Sequence, residues 1–250
     1  DLAAYLDDYS FPGNTWLDAY FTEYRFSKVL NRISPALREM AEQQAVDHDF
    51  LKLLPRLSIV DSIPKDGTFL YFVDAMGAEF IPYIIQKCRE YDLRLTVSVT
   101  HCNLPSLTRC NKDFFESYPP GQRTKVSELD DIIHHGKENY DYQITKTPLH
   151  LIRELEIIDE VLRNARTRLL SVKKTNRVVL AADHGATRMA VINEHIINID
   201  VNSKGTNGGR VCEYTEAVKT IPCAIHEGDY YILASYDRFK GGQPANVEAH

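Results

Sequence analysis

The sequence predicts an α/β fold: a mixed, mostly parallel sheet with helices on both faces, preceded by an N-terminal helical segment. Residues 68–73 (Thr-Phe-Leu-Tyr-Phe-Val) form an unbroken apolar and aromatic run, the pattern of a strand covered on both faces of a parallel sheet. Residues 177–182 (Arg-Val-Val-Leu-Ala-Ala) repeat that pattern, and each run ends in an acid, Asp74 and Asp183. Between the two, apolar residues recur at helical spacing.

In chain order, Trp16, Tyr20, Tyr24, Val29, Ile33, Leu37 and Met40 fall at helical spacing, and Ser34-Pro35 supplies an N-cap and a first-turn proline for a second helix. This helical character runs to about Arg56, and the style changes at Gly67, so residues 1–66 are expected to form a helical segment and 67–250 the α/β domain. A helical stretch follows the first strand through Cys88. Residues 94–99 (Arg-Leu-Thr-Val-Ser-Val), rich in β-branched side chains, predict a second strand. Thr147-Pro148 opens a helix with Leu151, Leu155, Ile158 and Leu162 on one face, leading into the strand at 177–182. Residues 189–201 and 230–235 are expected to complete the sheet.

With 250 residues and 44% hydrophobic content the chain can bury a full core. Its longest apolar stretches are far too short to cross a bilayer, and its N-terminus has no basic region followed by an apolar run, which argues against membrane insertion and secretion. Five scattered cysteines without a Cys-x-x-Cys pair encode neither a disulfide framework nor a zinc finger, as expected of a cytoplasmic protein. The net charge of −6 argues against a broadly basic nucleic-acid surface. A start at Asp1 and an end at His250 just beyond a Gly-Gly-Gln-Pro run are expected of a piece of a longer protein.

Ligands of open α/β sheets bind beyond the carboxyl ends of the strands, where both acids fall. Asp74 there can cap a helix, sit in a turn or ligate a metal. Asp183-His184-Gly185 is more specific, since a carboxylate beside an imidazole offers the donors suited to zinc or manganese, with Gly185 expected to allow a sharp turn behind them. Residues 129–136 contain two Asp/His pairs at a spacing of four, Asp130 with His134 and Asp131 with His135, either able to share an ion from one side of a helical turn; the second pair is preferred. Between the first strand and these pairs lies a Pro105-containing loop, in which Ser106 or Thr108 can cap a helix beginning near Lys112, while Thr108 becomes a nucleophile only beside a metal.

Taken in order, strand-Asp74, Pro105-Ser-Leu-Thr108-Arg-Cys-Asn111, Asp131-Ile-Ile-His-His135, strand-Asp183-His184 and a late His250 resemble the alkaline phosphatase superfamily. The segments Val73-Asp-Ala-Met-Gly-Ala-Glu-Phe80, Ala181-Ala-Asp-His-Gly-Ala186 and Asn246-Val-Glu-Ala-His250 are most similar to PglZ domains, which occur in BREX phage-defence systems. The resemblance covers about 67–250 and implies an alkaline phosphatase-like fold. It also implies a metal-dependent phosphatase or phosphodiesterase. Thr108 would be the nucleophile, Asn111 a donor to a phosphate oxygen, with Lys112 and Arg210 as further candidates for charge compensation. Two divalent ions, zinc or manganese, would be held by Asp74, Asp183 and His184 and by Asp131, His135 and His250. The implied partners are a phosphate ester, such as a nucleotide or oligonucleotide, and other BREX proteins. The rival expectations are an inert phosphatase-fold scaffold in a defence complex, favoured by Ala78 after the first acid, and a phosphomutase.

Overall fold

Ser34 and Pro35 mark the clearest boundary in the first part of the chain: the Ser34 hydroxyl accepts the Leu37 amide at 3.0 Å, and Pro35 opens the helix it caps. The structure, a computed structural model, describes residues 1–135, 147–197, 208–214, 221, 223–241 and 247–249. Helices α1 (Leu2–Tyr5), α2 (Thr15–Leu30), α3 (Pro35–Asp47) and α4 (Arg56–Ser62) build the helical beginning, with Asn31 ending α2 in the left-handed conformation.

Strand β1 (Thr68–Val73) follows, buried along its whole length. After it come α5 (Ile81–Glu90), the short helices α6 (Thr108–Asn111) and α7 (Asp113–Glu116), β2 (Arg123–Val126), α8 (Glu128–His135), the long α9 (Leu149–Ser171) and β3 (Arg177–Ala181). Among the described residues the parallel sheet has three strands in the order β2-β1-β3. Phe69, Tyr71 and Val73 point to one face, where they pack with Tyr83 of α5, Leu129 of α8 and Leu155 and Ile158 of α9. Leu70 and Phe72 point to the other, against Val60 of α4, Phe114 of α7 and Tyr118. Each large apolar side chain buried this way contributes roughly 1.5–3 kcal/mol relative to exposure, so β1 anchors both layers.

Two expectations about the sheet are corrected. Residues 94–99 join no strand ladder, and Leu95 is exposed. β1 has only two edges, and the polar β2, not recognised as a strand from its Arg-Thr-Lys-Val sequence, takes one while β3 takes the other. β-Branched composition expresses a packing preference that the tertiary context can override. The later segments do not extend this sheet either. Met189–Ile192 is helical (α10), β4 (Ile196–Ile197) pairs only with β8 (Arg238–Phe239) among the described residues, and 198–201 lie outside them. β7 (Tyr230–Leu233) is the centre of a separate antiparallel sheet between β5 (Val211–Glu213) and β6 (Ala224–Glu227). The chain is thus a mixed α/β protein with a small parallel sheet.

The helical beginning is tied to the sheet domain by buried charge. Lys28 of α2, fully buried, lies 2.9 Å from Glu154 of α9, 2.8 Å from Glu248 and 3.7 Å from Glu79, and His150 is 3.0 Å from Glu248. Burial works against the Lys28 charge, but the carboxylates of Glu154 and Glu248 overcome it and hold its pKa well above the usual lysine range. Among the described residues no helix is long and apolar enough to cross a membrane.

Candidate functional site

The parallel strands β1 and β3 run side by side and release Asp74, the residue after β1, and Asp183, the second residue after β3, at the same end of the sheet. Asp74 is held by its amide, which donates to Val126 O of β2 at 3.0 Å. Ala75 then takes a left-handed φ of 63°, unusual for a side chain with a Cβ, and donates its amide to Asp183 Oδ1 at 3.3 Å. Beyond the strands the two loops touch: a Cβ on Gly185 would meet Gly77 Cα at 3.1 Å. Gly185 has no left-handed φ among the described residues, so close approach, rather than the sharp turn expected from the sequence, is what requires glycine there.

The result is a buried cluster. Asp74, Asp183 and His184 each offer one ligand atom within 4.8 Å of the others. His184 Nε2 lies 3.7 Å from Asp74 Oδ1 and 3.3 Å from Asp183 Oδ2. Its other ring nitrogen, Nδ1, is 3.0 Å from the carbonyl of Gly185. A carbonyl only accepts, so the neutral ring carries its proton on Nδ1 and turns the Nε2 lone pair to the carboxylates, the arrangement in which a histidine ligates a metal. Asp183 Oδ1 accepts from the amides of Ala75 and His184, whereas Oδ2, equally buried, has no hydrogen-bond partner among the described residues. Burial pushes the Asp183 carboxyl up and the neighbouring Asp74 charge adds to this, against the pull of His184. Acceptors converging this closely, one of them orphaned, fit a cation between them.

Thr108 completes the group. It is the first residue of α6, and its Oγ1 lies 3.4 Å from Asp74 Oδ1 and 3.3 Å from His184 Nε2. Neither Thr108 nor Ser106 caps a helix: the N-cap of α6 is Leu107, and that of α7, the helix expected near Lys112, is Lys112 itself. Asp74 caps no helix either, since the helices that follow begin from Gly77 and Phe80, but it does stand in the turn after β1, the other ordinary role open to it.

Asn111 has a different task from the one the resemblance implies. It is fully buried, accepting from Asn103 N at 2.7 Å and from both Arg56 Nη atoms at 3.3 Å, while its amide nitrogen faces the carbonyls of Asn103, Pro105 and Leu107. No hydrogen is left for a substrate oxygen. Asn111 therefore clamps the Thr108 loop, in which the Leu104–Pro105 peptide is cis. Asp131 is half-buried in the first turn of α8 and is not in the cluster; the side chain of His135, and His250 altogether, lie outside the described residues. Ala249, the neighbour of His250, pairs with Thr187 through N···O contacts of 2.7 and 3.0 Å, three residues beyond His184. Lys112 is exposed, while Arg210 is buried against the carbonyls of Asp237 and Leu233, unlike the solvated side chain its Gly-rich surroundings suggest.

Two participants escaped sequence reading. Lys125 of β2 reaches Asp74 Oδ2 at 2.5 Å, and this carboxylate outweighs partial burial to raise its pKa. Its signal is alternation along β2, which places Lys125 one residue before the strand end beside Asp74, but only after β2 is known to be a strand. Arg56, at the start of α4, donates to Asp183 O at 2.6 Å and pairs with Asp113 at 3.2 Å, so one guanidinium locks the end of β3 to the Thr108 loop.

A second buried triad, His150, Glu154 and Glu248, also has metal-ligand spacing. There the Lys28 ammonium already lies between two of the carboxylates. The five cysteines are all free, and burial pushes the Cys102 thiol, near the Thr108 loop, up and away from nucleophilic use. Compared with protein-family models, curated proteins and solved structures, the chain finds no match.

Proposed function

We propose that the chain is a metal-dependent hydrolase of phosphate esters in which Thr108 is the nucleophile and Asp74, Asp183 and His184 bind a divalent cation, zinc or manganese. The observation that carries this reading is the Thr108 hydroxyl, within 3.4 Å of both Asp74 Oδ1 and His184 Nε2 in a cluster with surplus buried acceptors. The cation's contribution is to lower the pKa of that hydroxyl and to draw charge from the phosphate. The protein's own residues do the positioning. Arg56 and Asn111 fix the loop so that Oγ1 faces the cluster, and the Gly185 carbonyl fixes the His184 tautomer.

In the reaction proposed, Oγ1 forms a bond to phosphorus as the ester oxygen departs, the departing alcohol takes up a proton, and water then cleaves the phospho-Thr ester to restore the hydroxyl. Asp131, His135 and His250 are assigned to a second ion on the sequence resemblance alone. That resemblance also supports a setting among BREX-type phage-defence proteins and a nucleotide or oligonucleotide substrate. The test is hydrolysis of chromogenic mono- and diesters with added zinc or manganese: Thr108→Ala is expected to lower kcat by on the order of 10³-fold or more. Full activity in the variant would remove Thr108 from the mechanism.

A second reading has its own observation. The Lys125 ammonium at Asp74 Oδ2 already brings positive charge to the cluster, as an inert scaffold would require. Stoichiometric zinc or manganese in the purified protein, lost in Asp183→Ala, decides for the hydrolase.

A further inference from the structure

The small antiparallel sheet faces the Thr108 loop across a cavity of about 120 Å³. Val211 of β5, Ile232 of β7 and Ile225 of β6 stand directly opposite one another in register, so their side chains share one face of that sheet. The alternate residues Cys212 and Tyr231 turn to the other face, into the sheet's own core. The Val211–Ile232–Ile225 row lines the cavity, and Ala234 extends it. Leu104 and Ser106 of the Thr108 loop close the opposite side, and Arg210 adds a guanidinium held by the carbonyls of Asp237 and Leu233. The two walls are tied together where Arg109, next to Thr108, donates to the Tyr230 hydroxyl of β7 at 3.1 Å.

Three features define what fits. The volume matches a single six-membered ring, since an apolar cavity of about 150 Å³ accepts benzene. The walls are mostly apolar, aliphatic apart from the Phe50 ring and Ser106, with one guanidinium whose plane can stack on a ring face. The position is within reach of the chemistry: Ser106 is two positions from Thr108, a span of at most about 7 Å. We propose that this cavity is the leaving-group pocket of the site, taking the single aromatic ring of an aryl or pyrimidine-sized phosphate ester while the phosphate lies at Thr108. The assignment rests on the hydrolase reading above and deepens it by naming the class of ester.

The test compares phenyl phosphate with methyl phosphate in the wild type and in Ala234→Phe, which fills the cavity from its wall. The two esters differ in intrinsic reactivity, but that difference cancels when the phenyl-to-methyl ratio of kcat/KM is compared between proteins. The ratio is expected to fall at least tenfold in Ala234→Phe, with circular dichroism as the control for folding. Ala234→Val, a smaller filling, is expected to lower it by less. Phenol alone reads the pocket independently of phosphate chemistry: saturable binding by calorimetry is expected in the wild type and not in Ala234→Phe. Phenol binding with no ester hydrolysis sinks the hydrolase reading and leaves the ring pocket standing. Hydrolysis with an unchanged ratio, or a variant that is simply more stable and binds phenol no differently, shows a packing void and overturns the proposal.

Discussion

Asp74 has a neighbour on each carboxylate oxygen, the Thr108 hydroxyl on Oδ1 and the Lys125 ammonium on Oδ2, and the balance between them decides what the site can hold. Lysine at this distance neutralises one carboxylate, yet Asp183 Oδ2 and the Nε2 lone pair of His184 still converge on the same space. Removing the ammonium leaves two buried carboxylates without that compensation, a costly state that a divalent ion relieves. Lys125→Met is therefore expected to melt at a lower temperature than the wild type in chelator and to regain the difference when zinc or manganese is added. Melting curves with and without metal read this directly. A variant indifferent to metal would mean that the cluster takes no cation.

At the scale of elements, the site depends on how closely two strand-end loops approach. Gly77 and Gly185 meet at backbone distance, and Glu79 folds back over Gly77 so tightly that a Cβ there would fall 1.9 Å from its carboxylate. The contact at Gly185 is with main chain, which cannot swing aside as a flexible side chain can. Gly185→Ala is thus expected to cost about 1–3 kcal/mol by forced displacement and to weaken metal binding, because Asp183-His184 moves with the loop. Urea denaturation and metal titration of the same variant check both parts. Stability loss with unaltered metal affinity would show that the loop contact does not position the ligands.

Across the whole molecule, the helical beginning and the sheet domain are joined through Lys28 and the acids around it. Burial pushes the Glu79 carboxyl up to about 7, with Glu248 adding to the shift and Lys28 opposing it. In the unfolded chain this group titrates at its ordinary value of 4.5, so the folded protein retains a proton that the unfolded chain releases. The stabilisation from that proton is complete below pH 4.5 and is lost as pH rises through about 7. Glu248 has the opposite sense: although burial raises it, Lys28 and His150 hold it at about 2, and its contribution is present above 4.5 and lost as pH falls toward 2. In Glu79→Gln the stability difference between about pH 5 and about pH 7.5 is expected to shrink relative to wild type, as read by urea denaturation at the two pH values. An unchanged difference would show that Glu79 does not titrate in this window.

The order of chemistry along the chain was legible without coordinates. Burial on both faces writes itself into composition along β1, and the same apolar run made the half-buried β3 readable, which placed Asp74 and Asp183 at or just beyond their ends. Local rules sufficed for the Ser34 cap and the face of α9. Strand pairing is not local, so the polar β2 went unseen while residues 94–99 looked like a strand. For the same reason Lys125, Arg56 and the clamping use of Asn111 emerged only in three dimensions, since each acts on a residue tens of positions away or through the full set of its hydrogen bonds. The sequence by itself determined which residue types end the central strands, because a strand's burial is encoded in its own side chains. Only the tertiary structure decided which of them meet, because that depends on which edges pair and how near two glycine loops can come.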